Sequence, residues 1–279
     1  MKIGCHISIS GGIEKAPQRA AEMGCECFQI FTRSPRGGQP PEISDSAAKK
    51  FAADRQRLGL SNCYVHTPYI INLASAKTDI RKNSVAMIVE DLRRADLVGA
   101  ACAVTHIGTA AGMERGDAVA KAAKSLREIL NKTRGASVKL LIENSAGQGS
   151  TLGGAFEEIA EILDKTGEPD LGVCVDTAHL FGAGYEIRTE EGFEKTVKNI
   201  NATFSTEKIG LIHCNDSKVD LGSRKDRHEH IGFGKIGTKG FNPLFSCAEF
   251  RGIDFIAETP PEKSALDIKN LKEIRRKTQ

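Results

Sequence analysis

Short apolar runs alternate with amphipathic stretches along the whole chain. Runs rich in Val, Ile, Leu and Cys at about 2–7, 27–31, 62–66, 102–107, 138–143, 172–176, 208–213 and 253–258 have the length and composition of buried strands. Between them, apolar residues recur at helical spacing over about 16–23, 44–58, 79–98, 115–131, 154–164, 189–201, 241–248 and 263–276. Strands that alternate with helices must lie parallel, because each parallel pair needs a crossover. Eight such units are the number that closes a barrel, so the expected fold is α/β: a (β/α)8 TIM barrel of eight parallel strands inside a ring of helices.

An open doubly wound sheet is the competing arrangement. It typically carries a GxGxxG turn after the first strand, and Ser10-Gly-Gly12 does not match. The 279 residues suit one such barrel, and with no linker or low-complexity stretch, residues 1–279 read as a single domain. No window approaches the roughly 18 apolar residues of a membrane span, and the N-terminus lacks a signal-peptide pattern. A soluble, cytoplasmic protein without membrane contact is expected, and a monomer. The eight cysteines form no CxxC pair and lie mostly inside apolar runs, which reads as free buried thiols rather than disulfides. A net charge of +3 says little about partners.

The chemistry lies at the strand ends. Tyr64-Val-His66, Val104-Thr-His106, Leu141-Ile-Glu143, Val173-Cys-Val-Asp176, Leu211-Ile-His213 and Phe255-Ile-Ala-Glu258 each finish an apolar run on a histidine or an acid. C-terminal strand ends and the loops after them build the active site of such a barrel. Three residues expected in loops join the six: His179 in Asp176-Thr-Ala-His179, and Asp226 and His228 in Lys225-Asp-Arg-His228. Any one of these alone is most often a satisfied structural residue. All seven histidines, however, fall near a strand tip or in a loop after one, and His6 and His230 are the two assigned to supporting or structural roles.

Five imidazoles and four carboxylates in one pocket need compensation, because clustered carboxylates repel. Metal ions resolve this. The donor set, without thiolate, suits Zn²⁺ first, with Mn²⁺ or Fe²⁺ as substitutes. At about three protein ligands per catalytic zinc, nine ligands accommodate three ions, or two with shared ligands. Three divalent ions against four carboxylates leave two positive charges, which attract a phosphate.

Several longer motifs carry a resemblance: Ile142-Glu-Asn-Ser-Ala-Gly-Gln-Gly-Ser150, Gly172-Val-Cys-Val-Asp-Thr-Ala-His179, His213-Cys-Asn-Asp-Ser-Lys218, Gly222-Ser-Arg-Lys-Asp-Arg-His228 and Gly232-Phe-Gly-Lys-Ile-Gly237. In this order they resemble the endonuclease IV family of abasic-site endonucleases, a branch of the xylose-isomerase-like TIM barrels. The resemblance implies three zinc ions: His66 and His106 on one; Asp176, His213 and Glu258 on a second, with Glu143 bridging the two; and His179, Asp226 and His228 on a third. It implies that Glu143, Asp176 and Glu258 serve the catalytic centre. It also implies cleavage of double-stranded DNA on the 5′ side of an abasic site in base excision repair, leaving a 3′-hydroxyl and a 5′-deoxyribose phosphate. Trimming of blocked 3′ ends is left open.

DNA contacts are expected on neighbouring loops. Arg33 and Arg36 beside Gly37-Gly38 offer cations, Tyr69 and Ile70 an apolar wedge, and the resemblance implies that Arg36, Tyr69 and Ile70 enter the base stack. The family often carries an aromatic residue where Gly37-Gly38 stand. Lys218, Arg224, Lys225, Arg227, Lys235 and Lys239 crowd the loop after the seventh strand, with Lys218 and Arg227 the contacts to backbone phosphates. The alternative is that Asp216, Asp220, Asp226 and Glu229 pair with these bases on a solvated surface. Two rival functions are a metal-dependent sugar isomerase or epimerase on the same barrel, and a non-catalytic nucleic-acid-binding protein.

Overall fold

A computed structural model describes residues 1–278. Its eight barrel strands are β1 (Ile3–Ile7), β2 (Cys27–Phe31), β3 (Cys63–His66), β4 (Cys102–Thr105), β5 (Lys139–Glu143), β6 (Gly172–Asp176), β7 (Ile209–His213) and β8 (Phe255–Ala257). Each pairs in parallel with the next, and β8 pairs with β1, so the barrel is closed with no free edge. The helices α1 (Ala16–Glu22), α2 (Asp45–Arg57), α3 (Thr78–Leu97), α4 (Arg115–Lys132), α5 (Phe156–Thr166), α6 (Thr177–Ala183), α7 (Glu190–Thr203), α8 (Gly237–Gly240), α9 (Asn242–Ser246) and α10 (Ser264–Thr278) supply the crossovers. This is a (β/α)8 TIM barrel. Among the described residues, no helix is long and apolar enough to cross a membrane.

Local chemistry sets the element ends. Ser44 caps α2 by accepting from the Ala47 N–H at 3.2 Å, and α5 stops at Gly167, whose left-handed backbone favours glycine. Two departures from the sequence pattern follow the same logic. The stretch 177–183, expected as loop, is helical because the Asp176 carboxylate accepts from the His179 N–H at 2.8 Å and Gly184 ends the turn in the left-handed region. The expected helix over 241–248 is shortened to α9, with α8 a separate turn before it and a 3-10 turn at Ala248–Phe250 after it, and Pro243 stands in the first turn of α9.

Two apolar layers hold the fold. Eight of the 12 phenylalanines are fully buried, most of them in the large layer between strands and helices, each stabilising by about 1.5–3 kcal/mol. Inside the barrel, Cys27, Tyr64, Cys102, Val104, Leu141, Cys174, Leu211 and Ile256 form a separate plug. Side chains alternate across a strand, so the next inward position lies two residues further on. Counting two past the plug gives Gln29, His66, His106, Glu143, Asp176, His213 and Glu258. On β1 the inward residue is Gly4, where a Cβ would stand 1.8 Å from the Cys27 carbonyl oxygen, and two past it is His6. Pleat and closure alone therefore direct one polar side chain from each strand into a single ring above the plug.

Candidate metal centre

Glu143 is the hub of that ring and is fully buried. Its Oε2 lies 3.1 Å from His66 Nε2 and 3.3 Å from His106 Nδ1, while Oε1 lies 2.8 Å from His213 Nδ1. Glu258 Oε2 closes on the same His213 Nδ1 at 3.0 Å. One carboxylate thus faces two sets of imidazoles through its two oxygens. To one side, Asp226 Oδ2 lies 3.2 Å from His179 Nε2 and its Oδ1 3.3 Å from His228 Nε2, and Asp176 Oδ2 is 3.6 Å from His228 Nε2.

All nine residues singled out in the sequence therefore meet in one volume. Eight of them fall into sets whose donor atoms all lie within 4.8 Å of one another: His66, His106 and Glu143; Glu143, Asp176, His213 and Glu258; and Asp176, His179 and His228. Asp226, the ninth, joins through His179 and His228. His179 comes from the first turns of α6 and not from a loop, while His228 comes from a short antiparallel hairpin, Asp216–Ser217 with His228–Glu229.

The residues fit divalent cations on two grounds. His179 Nε2 and His228 Nε2 are buried without a hydrogen-bond partner, close to Asp226 but not aligned with it, and such unpartnered ring nitrogens call for an occupant. Two ligands about 2.0–2.1 Å from a tetrahedral ion stand roughly 3.3 Å apart, and four of the seven nitrogen–oxygen separations above lie at 3.1–3.3 Å. The remaining ring nitrogens are tied down: His66 Nδ1 to the Thr67 carbonyl at 2.7 Å, His179 Nδ1 to the Asn144 carbonyl at 2.9 Å. Cys174 lies near His213 and Glu143, but burial pushes its thiol up to about 12, which disfavours the thiolate a metal needs.

Charge in the ring is balanced by protons. Burial opposes a charged His179, yet Asp176, Asp226 and Glu143 outweigh it and push the ring up to about 10. Burial likewise opposes an ionised Asp226, and His179 and His228 outweigh that and hold its carboxyl down at about 2. Protonated imidazoles here do what a cation would do, and a binding ion releases those protons. His6 behaves differently. Burial lowers it to about 4, it packs on Phe31 with ring centroids 4.3 Å apart, and it stays neutral. His230 pairs with buried Asp267 at 2.8 Å, a structural tie to α10.

Three further residues shape the surroundings of the ring. Gln29 is fully buried and donates to Glu258 Oε1 at 2.6 Å, while its Oε1 accepts from His213 Nε2 at 2.9 Å. Asn215 donates to Asp176 Oδ2 at 2.6 Å, orienting that acid, and accepts from the Glu258 backbone N–H at 2.7 Å. Arg33, expected to reach out as a cation, is instead buried and paired with Asp91 at 2.8 Å and Glu90 at 3.1 Å on α3, anchoring the loop after β2. Arg36 is exposed, as are Lys218 and Arg227. Asp216, expected among solvated acids, is buried and accepts backbone N–H groups.

Tyr69 and Ile70 stand out of the mouth, 62% and 51% exposed. The Tyr69 ring sits 6.0 Å from that of His66 and 6.4 Å from that of His106, and separates two cavities of about 550 and 470 Å³. Ile70 rests on Gly37: a Cβ there would meet its Cδ1 at 2.8 Å, and Gly37 has φ +89°. The glycine is what lets the two loops touch.

The fold and the ring define a class first: the family described as xylose isomerase-like TIM barrel matches residues 17–276. Within that class, the chain belongs to the endonuclease IV family and is a nuclease. It is 39% identical over 280 residues to a probable endonuclease 4 of Natranaerobius thermophilus, covering 99% of this chain and 97% of that one. It is 39% identical to a probable endonuclease 4 of Aquifex aeolicus, covering 98% and 96%. The structure superposes on endonuclease IV from Thermus thermophilus with a TM-score of 0.87 and 33% identity, over 99% of this chain and 100% of that one. A D-tagatose 3-epimerase-like protein superposes at TM-score 0.78 with only 20% identity, a likeness of fold alone.

Proposed function

We propose that this nuclease uses zinc to hydrolyse the phosphodiester on the 5′ side of an abasic site in double-stranded DNA, leaving a 3′-hydroxyl and a 5′-deoxyribose phosphate, in base excision repair. The observation that carries the proposal is the convergence of nine metal-type donors, two of them buried and unpartnered, in a nuclease of this family. His66, His106 and Glu143 would hold one ion, Glu143, Asp176, His213 and Glu258 a second, and His179, Asp226 and His228 a third. Bound zinc supplies Lewis acidity for the phosphoryl oxygens and brings water within reach of ionising near pH 7.

The chain's own residues do the rest. Burial opposes ionised Glu143 and Glu258, yet the surrounding imidazoles outweigh it and hold both carboxyls down, and Asn215 fixes the direction of the Asp176 carboxylate. Tyr69 and Ile70 form a wedge over the ring, suited to insertion into a base stack beside a nucleotide that has lost its partner. Arg36, Lys218 and Arg227 are exposed cations for backbone phosphates. Stripping the protein with a chelator should abolish incision of an abasic duplex, and zinc should restore it before manganese does. Full activity after stripping would refute the metal requirement.

Tyr69→Ala removes most of the wedge without touching any donor. Binding to abasic duplex should weaken by about ten- to a hundredfold, the worth of roughly 1–3 kcal/mol of aromatic stacking. A titration by fluorescence anisotropy reads this directly, and unchanged affinity would remove Tyr69 from the interface.

A further inference from the structure

Of the eight inward positions above the plug, seven are occupied by histidine or an acid, and one, Gln29 on β2, is a neutral amide. We infer that Gln29 is a positioning residue that fixes the ring tautomer of His213 and the direction of Glu258, so that both present their free donors to an ion. This rests on the zinc reading above.

The geometry leaves the amide one orientation. Gln29 Nε2 is 2.6 Å from Glu258 Oε1 and 3.2 Å from His6 Nδ1, while Gln29 Oε1 is 2.9 Å from His213 Nε2. Turned over, the amide would set its carbonyl oxygen 2.6 Å from a carboxylate oxygen, two acceptors in contact. As drawn, both of its N–H bonds are used, one on Glu258 and one on neutral His6, and its oxygen requires a hydrogen on His213 Nε2. The His213 proton is thereby placed on Nε2. The opposite nitrogen, Nδ1, faces Glu143 Oε1 at 2.8 Å and Glu258 Oε2 at 3.0 Å, where a binding ion would take the place of its hydrogen. The bond to Glu258 Oε1 likewise occupies one carboxylate oxygen and leaves Oε2 beside His213 Nδ1. A single buried amide thus sets two neighbouring donors, and groups of this kind typically change metal affinity by about 10–100-fold when removed.

The test compares the unsubstituted protein with Gln29→Met, which keeps the volume and loses all three hydrogen bonds. Zinc affinity, read by competition with a chromogenic chelator, should fall by about 10–100-fold in Gln29→Met. The incision kcat should fall while KM for abasic duplex holds within about twofold, since the wedge is untouched. Equal zinc affinity in the two proteins overturns the inference while leaving the zinc reading standing. Absence of zinc binding in the unsubstituted protein overturns both. A readout that needs no variant is the ¹⁵N spectrum of the His213 ring in the zinc-loaded protein: protonated Nε2 supports the assignment, and protonated Nδ1 overturns it.

Discussion

Glu143→Gln is expected to abolish incision of abasic duplex, by a thousandfold or more, in a protein that remains folded. Glu143 lies at the centre of the ring with its two oxygens on different imidazoles: His66 and His106 on one side, His213 on the other. Glutamine has the same shape, so the barrel above its apolar plug loses no volume. It carries no charge, however, and presents an N–H₂ group to imidazoles that already hold hydrogens or need an acceptor. Loss of a single preorganised electrostatic group commonly costs about 10²–10³ in rate, and a group shared by two ions should exceed that. Single-turnover incision measures the effect, with circular dichroism as the check on folding. A variant within tenfold of the unsubstituted rate would show that Glu143 is a structural acid.

Asp216→Ala is the change expected to destabilise the protein most, by about 3–5 kcal/mol. Asp216 is buried and accepts the backbone N–H groups of Ser217 (2.8 Å), Gly232 (2.9 Å), Gly234 (3.1 Å), Ile236 (2.9 Å) and Gly237 (3.1 Å). Burial nonetheless pushes its carboxyl up, against the five donors that favour the ionised form, so the site depends on all of them being made at once. Alanine would leave several N–H groups inside the protein with no acceptor. Asp216 itself lies in the hairpin that carries His228, so incision should fall with stability. Urea unfolding measures the first effect. A loss below about 1 kcal/mol would mean that water replaces the carboxylate without difficulty.

The barrel and its ring were legible because they rest on period. Apolar runs bounded by helical stretches imply parallel strands, and a charged residue at the end of each run marks the open end of the barrel. The same rule would have reached Gln29, two positions past Cys27, but an amide in an apolar strand carries no charge to draw notice. His6, read as a supporting group, has contacts visible only in space: it stacks on Phe31 and receives a hydrogen bond from Gln29. Arg33 was misjudged because its partners, Glu90 and Asp91, lie more than fifty residues away on α3, and no local pattern shows that pairing. The burial of Asp216 sets aside, for that residue, the alternative of an acid paired on a solvated surface. Its donors are backbone groups, which have no signature in residue identity. The helix over Thr177–Ala183 was hidden by its length, since seven residues give too few turns for a helical period to show.

The central claim is that these nine donors grip divalent cations. Anomalous scattering at the zinc absorption edge, from crystals of protein purified without added chelator, tests it most directly. Three peaks are expected, all within the ring: one contacting His66, His106 and Glu143, one contacting Glu143, Asp176, His213 and Glu258, and one contacting His179, Asp226 and His228. Crystals of zinc-replete protein with no peak in the ring, or with peaks only elsewhere on the molecule, would contradict it.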